Sequence, residues 1–128
     1  MITFNEGYNP EQERQQELYD KAKEELSQRL QEIDEAVDSI IELLIRGRRL
    51  FNSDKYESWT KNEVMREMSK IIQLLYSKLH YCMAMGENIK ANSDNIRIQK
   101  LEKMYDKLQR EEKMPEGFLD EMKRIIKE

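Results

Sequence analysis

Apolar residues recur at alternating steps of four and three along the first third of the chain, at Leu26, Leu30, Ile33, Val37, Ile40 and Leu44. That spacing is the seam of a helix that lies along other helices. A start signal precedes it: Asn9 as cap, Pro10 at the first helical position, and Glu11, Gln12 and Glu13 near the positive end of the helix dipole. From Glu11 to Glu25 the run is polar, and only Leu18, Tyr19 and Ala22 can form an apolar stripe. At Ile40, Ile41, Leu43, Leu44 and Ile45 the apolar surface spreads around more than half of the helix, so this part should be the most enclosed. Gly47 weakens the helix, ends it, kinks it or admits another backbone. Asn52, Ser53 and Asp54 form a better stop, because Leu50 and Phe51 carry the apolar pattern past Gly47. An unbroken first helix then has about 40 residues and spans roughly 60 Å.

A second helix is expected to open at a capping box of Thr60 and Glu63, with Trp59 and Val64 as a hydrophobic staple. Its seam runs Val64, Met68, Ile71, Leu75, Leu79 and Cys82, flanked by Met65, Ile72, Tyr76 and Met83, a face broad enough to need two neighbours. Gly86 is the candidate stop, although Ile89 allows continuation to about Ala91. Asn92, Ser93 and Asp94 read as a short polar connection to an antiparallel third helix, whose seam is Ile98, Leu101, Tyr105 and Leu108. Pro115 ends or kinks that helix. A last short helix, Glu116 to Lys127, should bury Phe118, Leu119, Met122, Ile125 and Ile126.

The fold class expected is therefore all-α: an antiparallel bundle of three long helices plus a short C-terminal one. Residues 1–8 should be a flexible arm and residues 9–128 a single domain. No internal repeat stands out. The first helix is longer than the second, so its N-terminal part is expected to overhang the bundle.

Composition agrees: 38% of the residues are charged, and only four Gly and two Pro interrupt a chain rich in helix formers. Its apolar residues are periodic, which separates it from a disordered chain of equal charge. The net charge of −4 hides an asymmetry, since residues 1–45 carry 12 acids and 4 bases, residues 46–110 carry 8 and 14, and residues 111–128 carry 6 and 4. Either the acidic first helix and basic middle neutralise each other, or the basic surface serves an external anion.

The single Cys82 and single His80 rule out an intramolecular disulfide and a Cys/His metal site within one chain. Cys82 lies on the seam and reads as a small buried hydrophobe, while His80 reads as structural or exposed. No basic leader followed by an apolar run opens the sequence, and no apolar run reaches membrane length, so a cytoplasmic home is expected, with no membrane partner. Asp34, Asp38 and Glu42 form a carboxylate row beside the seam, without the Glu-x-x-His pairs of a di-iron bundle, so the row should be solvated or face the basic helices.

Arg46, Arg48 and Arg49 are the tightest basic cluster and the candidate phosphate contacts, with Lys55, Lys61, Arg66 and Lys70 near in sequence. A second basic set comprises Lys90, Arg97, Lys100, Lys103, Lys107 and Arg110, with Glu102 and Asp106 placed to compensate part of it. The segments Leu30–Asp34, Ile40–Leu44 and Arg48–Leu50 resemble the first helix of the all-helical chorismate mutases over about 20 residues of heptad pattern. The resemblance implies a small all-helical enzyme and carries over Arg48 alone; Gln31 stands where that family has an arginine, and Asn52–Ser53–Asp54 replaces its lysine-bearing continuation. Methionines at apolar faces, among them Met65, Met68, Met83, Met85, Met104 and Met122, serve a core or an adaptable groove.

No catalytic constellation emerges, and no cofactor is expected. The function expected is a non-enzymatic helical module that binds a protein partner or a second copy through the extended first helix, with Tyr19, Leu26 and Leu30 as its interface. The alternative is a helical subunit of a nucleoprotein complex touching phosphate through Arg46, Arg48 and Arg49.

Overall fold

The computed structural model describes residues 9–50 and 57–128, with the side chains of 48–50 and 57–60 excepted. The arm at residues 1–8 and the stop at Asn52–Asp54 lie outside these residues. The described chain folds into four helices: α1 (Pro10–Leu50), α2 (Glu57–Ala84), α3 (Asn88–Arg110) and α4 (Phe118–Lys127). α2 packs most extensively against α3 and then against α1, and α4 bridges α1 and α3, so the helices close a ring with α1 and α3 on one diagonal. Cross-helix contacts give the directions. Lys78 on α2 meets Asp34 on α1, Tyr76 on α2 meets Glu102 on α3, and Lys123 and Lys127 on α4 meet Glu42 and Asp38 on α1. Each helix is therefore antiparallel to both neighbours.

α1 begins as its sequence requires. Asn9 Oδ1 accepts from the backbone N–H of Glu11 at 2.9 Å and of Gln12 at 3.4 Å, which satisfies donors the first turn leaves without intrahelical partners. The helix then runs 41 residues straight through Gly47. A Cβ built at Gly47 meets nothing within 4 Å, so no close approach of another described part of the chain requires this glycine.

Gly86 does end α2. At φ 73 it takes the left-handed conformation that costs glycine nothing, and the C-terminal carbonyls are closed by Glu87 N–H to Cys82 at 2.9 Å and Gly86 N–H to Met83 at 3.0 Å. This pair of bonds is a Schellman motif.

Three expected boundaries are corrected. The connection expected at Asn92–Asp94 is helix, since α3 already starts at Asn88. The Gly86 turn has closed the hairpin six residues earlier, and Asp94 belongs to the buried side of α3. α2 starts at Glu57, so Thr60 lies inside it; no breaker stands between Glu57 and Thr60, and helix propagates readily once nucleated. Glu63 pairs with Arg66 instead of closing a capping box. Finally, α3 stops at Arg110 rather than at Pro115, because Glu111 turns extended at φ −83 and ψ 143 while Lys61 of α2 holds its carbonyl.

The core joins the seams of all four helices: Ile33, Val37, Ile41 and Leu44; Val64, Met68, Ile71 and Leu75; Ile98, Leu101 and Leu108; Phe118, Leu119, Met122 and Ile125. Fully burying one such side chain contributes about 1.5–3 kcal/mol. The two helical glycine sites predict opposite effects. Gly47→Ala should raise the unfolding free energy by up to about 1 kcal/mol, and Gly86→Ala should lower it by about 1 kcal/mol, both read from urea denaturation.

Candidate binding surface on the overhanging helix

The core begins on α1 only at Ile33, and every residue from Asn9 to Glu25 is exposed. Pro10 to Glu32 is thus a 23-residue length of helix, about 34 Å, that buries almost nothing. Its cohesion is local, through the Asn9 cap, the bonds Gln16 to Asp20 at 3.0 Å and Gln31 to Glu35 at 3.2 Å, and the Arg29–Glu32 pair at 3.7 Å. Such contacts stabilise a helix by about 0.2–0.5 kcal/mol each, so the segment depends mainly on propagation from the packed part of α1.

Two rows run along this overhang. The first prolongs the core seam outward through Leu30, Leu26, Ala22 and Tyr19. Leu26 and Leu30 are half-buried, whereas Tyr19 is 60% exposed and the neighbouring Leu18 62%. The three expected interface residues therefore share one stripe, graded from half-buried to open. The second row is acidic: Glu42, Asp38, Glu35, Glu24, Asp20, Glu17 and Glu13. Its inner end is gripped by α4, with Lys123 Nζ 2.8 Å from Glu42 Oε1 and Lys127 Nζ 2.5 Å from Asp38 Oδ1. The hydrogen bond and charge of Lys123 hold the Glu42 carboxyl below its ordinary value. Asp34, Asp38 and Glu42, expected to be solvated or to face bases, all face lysines. The outer members Glu13, Glu17 and Glu24 make no ion pair among the described residues, and Asp20 accepts only from Gln16.

The overhang leaves the bundle at a buried charge cluster. Asp94, 1% exposed, lies 3.0 Å from Arg97 Nη1 and 3.7 Å from Lys78 Nζ, and the same Lys78 reaches Asp34 on α1 at 2.8 Å. Arg97 also donates to the main-chain oxygen of Glu128, so the cluster ties the end of α4 to the other three helices. Cys82 Sγ donates to Asp94 Oδ2 at 3.6 Å; burial first, then the Asp94 charge, pushes its thiol pKa up, which makes it a poor nucleophile. Sequence reasoning missed Asp94 as a core position by treating it as turn polarity. The signal was present, since Ala91, Asp94, Ile98 and Leu101 follow steps of three, four and three with Arg97 one turn on.

Of the expected phosphate contacts, Arg46 is exposed beside Glu42, and the side chains of Arg48 and Arg49 lie outside the described ones. The α3 bases divide into two groups. Lys90 pairs with Glu87 at 3.2 Å, Arg97 with Asp94, and Lys100 with Glu128 at 3.0 Å. Lys103 and Lys107 make no ion pair among the described residues, and Arg110 reaches only the Asp106 carbonyl at 3.3 Å. Glu102 does not compensate them, because its carboxylate is held by the Tyr76 hydroxyl. A shallow groove of about 320 Å³ lies beside that contact, lined by Ser69, Ile72, Gln73, Glu102, Tyr105 and Asp106. His80 is exposed, and Gln31 bonds to Glu35 on the solvent side of α1. No described helix is long and apolar enough to cross a membrane.

Comparison with protein-family models, with curated proteins and with solved structures finds no match to this chain.

Two measurements check this geometry. Asp94→Ala should cost about 3 kcal/mol or more of unfolding free energy, because it leaves Lys78 and Arg97 facing a buried space without their shared counter-charge. Glu42 and Glu128 are both held below the ordinary glutamate value of 4.5 by lysine partners. Their contribution is therefore complete above that value and lost as the pH falls through their lower folded-state pKa. The urea midpoint should drop with acidification below about pH 4.5, and Glu42→Gln should flatten that drop.

Proposed function

We propose that this chain is a non-enzymatic protein-binding module whose working surface is the overhanging half of α1. The observation that carries the reading is the continuation of the core seam, through Leu30, Leu26, Ala22 and Tyr19, into a length of helix that has nothing to pack against among the described residues. A solvated helix has no need of a stripe in register with the core; a helix that pairs along its length does. The buried carboxylate cluster at Asp94 is committed to Lys78 and Arg97, and no group of His, Cys, Asp and Glu among the described residues could hold a metal ion, which favours binding as the reading. The single buried thiol suits a reducing cytoplasm.

A second reading, contact with phosphate backbone in a nucleoprotein complex, draws on the outward Lys103, Lys107 and Arg110 together with Arg46. It requires salt-dependent affinity for RNA or DNA at about 50 mM salt.

A photo-crosslinking residue placed at Tyr19 in the living cell tests the first reading, with the same residue at exposed Asp120 on α4 as control. Position 19 should capture a protein that position 120 does not, and Leu18→Glu with Tyr19→Glu should abolish the complex without moving the urea midpoint, since neither side chain is buried. Equal capture from both positions, or none, overturns the reading.

A further inference from the structure

The chain shows in itself how α1 is recognised. α4 lies antiparallel on it, sets Met122 and Ile125 into the core beside Val37 and Ile41, and reaches sideways with Lys123 and Lys127 to the acidic row. α4 ends at the level of Asp38, but beyond it the apolar stripe continues through Leu30, Leu26 and Ala22 to Tyr19, and past Gln31 and Gln28 the carboxylates resume at Glu24, Asp20, Glu17 and Glu13. What fits that vacant track is another basic helix running antiparallel to α1.

α3 carries such a face, pointing away from its own core. Ile89, Ile96, Lys103 and Arg110 stand at steps of seven and so form one line, with Lys100 and Lys107 in a parallel line beside it. Ile89 is 89% exposed and Ile96 44%, and Lys103 and Lys107 have no ionic partner among the described residues. We infer that the overhang of α1 docks antiparallel on the outward face of α3 of a second copy of this chain, prolonging the track on which its own α4 lies. This rests on the reading of the overhang as a protein-binding surface and names its partner.

Register and length agree with the pairing. Acids on the overhang fall at Glu13, Glu17, Asp20 and Glu24, in steps of four, three and four; bases on α3 fall at Arg110, Lys107, Lys103 and Lys100, in steps of three, four and three. Laid antiparallel, Glu13 comes opposite Arg110, Glu17 opposite Lys107 and Asp20 opposite Lys103, with Glu24 opposite Lys100, which already pairs with Glu128 of its own chain. The same alignment brings Ile96 close to Leu26, where the overhang's stripe is only half covered, while Ile89 falls past Leu30, at the level of Asp34. α3, with 23 residues, is long enough to span the four acids and Leu26 in this register. Two-fold symmetry doubles the contact, because each overhang meets the other copy's α3. Pairing of two overhangs along their acidic rows would oppose carboxylate to carboxylate, and charge disfavours it.

Sedimentation equilibrium of the full chain tests the inference. A dimer is expected at about 100 μM, weakening as salt is raised. Lys103→Glu with Lys107→Glu should weaken it about tenfold or more, Glu17→Lys with Asp20→Lys should do the same, and joining all four changes in one chain should restore most of the affinity. All four positions are exposed, so unfolding midpoints measured at concentrations where the chain is monomeric should stay unchanged and report folding independently. A monomer at that concentration, a dimer indifferent to these reversals, a loss not rescued by the fourfold variant, or a monomer that binds RNA or DNA through Lys103 and Lys107 overturns the inference. A monomer whose Tyr19 position still crosslinks a different protein overturns the second copy as partner and leaves the binding role of the overhang standing.

Discussion

A carboxylate in the interior of a small protein must have its charge answered, and in this bundle that requirement sets the relation of all four helices. Asp94 takes Arg97 from its own helix and Lys78 from α2; Lys78 extends to Asp34 on α1, and Arg97 to the end of α4. Apolar seams tolerate a shift of a turn, since leucine, isoleucine and methionine substitute for one another in neighbouring holes. A buried ion cluster does not, because a shift leaves a charge without its counterpart in a medium that screens it poorly. The cluster thus acts as a registration pin. It stands at the level where the four-helix section ends and the lone section of α1 begins.

Below that level the molecule is a ring of helices with a shared core, and above it α1 continues alone. The α2–α3 hairpin, closed by the Gly86 turn, supplies most of the packing surface. α4 is a small clamp: ten residues, of which Phe118, Leu119, Met122 and Ile125 are buried, with lysines that reach the acidic flank of α1. The acidic first helix and the basic middle of the chain neutralise each other only in part. Lys78 meets Asp34 and Asp94, while the outer α1 carboxylates and the α3 lysines at 103 and 107 stay apart within one chain.

Much of this was legible in the residues. Asn9 followed by Pro10 announced the start of α1, the steps from Leu26 to Leu44 announced its seam, and Gly86 announced the end of α2, because each rests on backbone or spacing rules that tertiary contacts seldom override. The overhang was also visible, as a mismatch of helix lengths and a thinning stripe above Leu26. Asn92–Ser93–Asp94 misled because a polar triplet has the same composition whether it turns in water or caps a buried ion cluster. The steps from Ala91 through Asp94 to Ile98 place Asp94 on the seam, but its partner Lys78, 16 residues back on another helix, is visible only in the fold. Thr60 misled in a similar way, since a capping signal competes with helix propagation from the N-terminal side. That Tyr19, Leu26 and Leu30 share one stripe was readable from their spacing, but the acidic row beside it gained meaning only when α4 was seen to hold its inner end.

The tight Gly86 turn also bears on how the chain acquires its structure. Neighbours joined by a short loop pay little loop-closure entropy, so the α2–α3 hairpin is the part best placed to form early, and topologies of such local contact fold fast. α1, however, leaves the ribosome before either of the helices that will cover Ile33 to Leu44. For that interval its seam is bare, and its surplus of carboxylates keeps nascent chains apart by mutual repulsion.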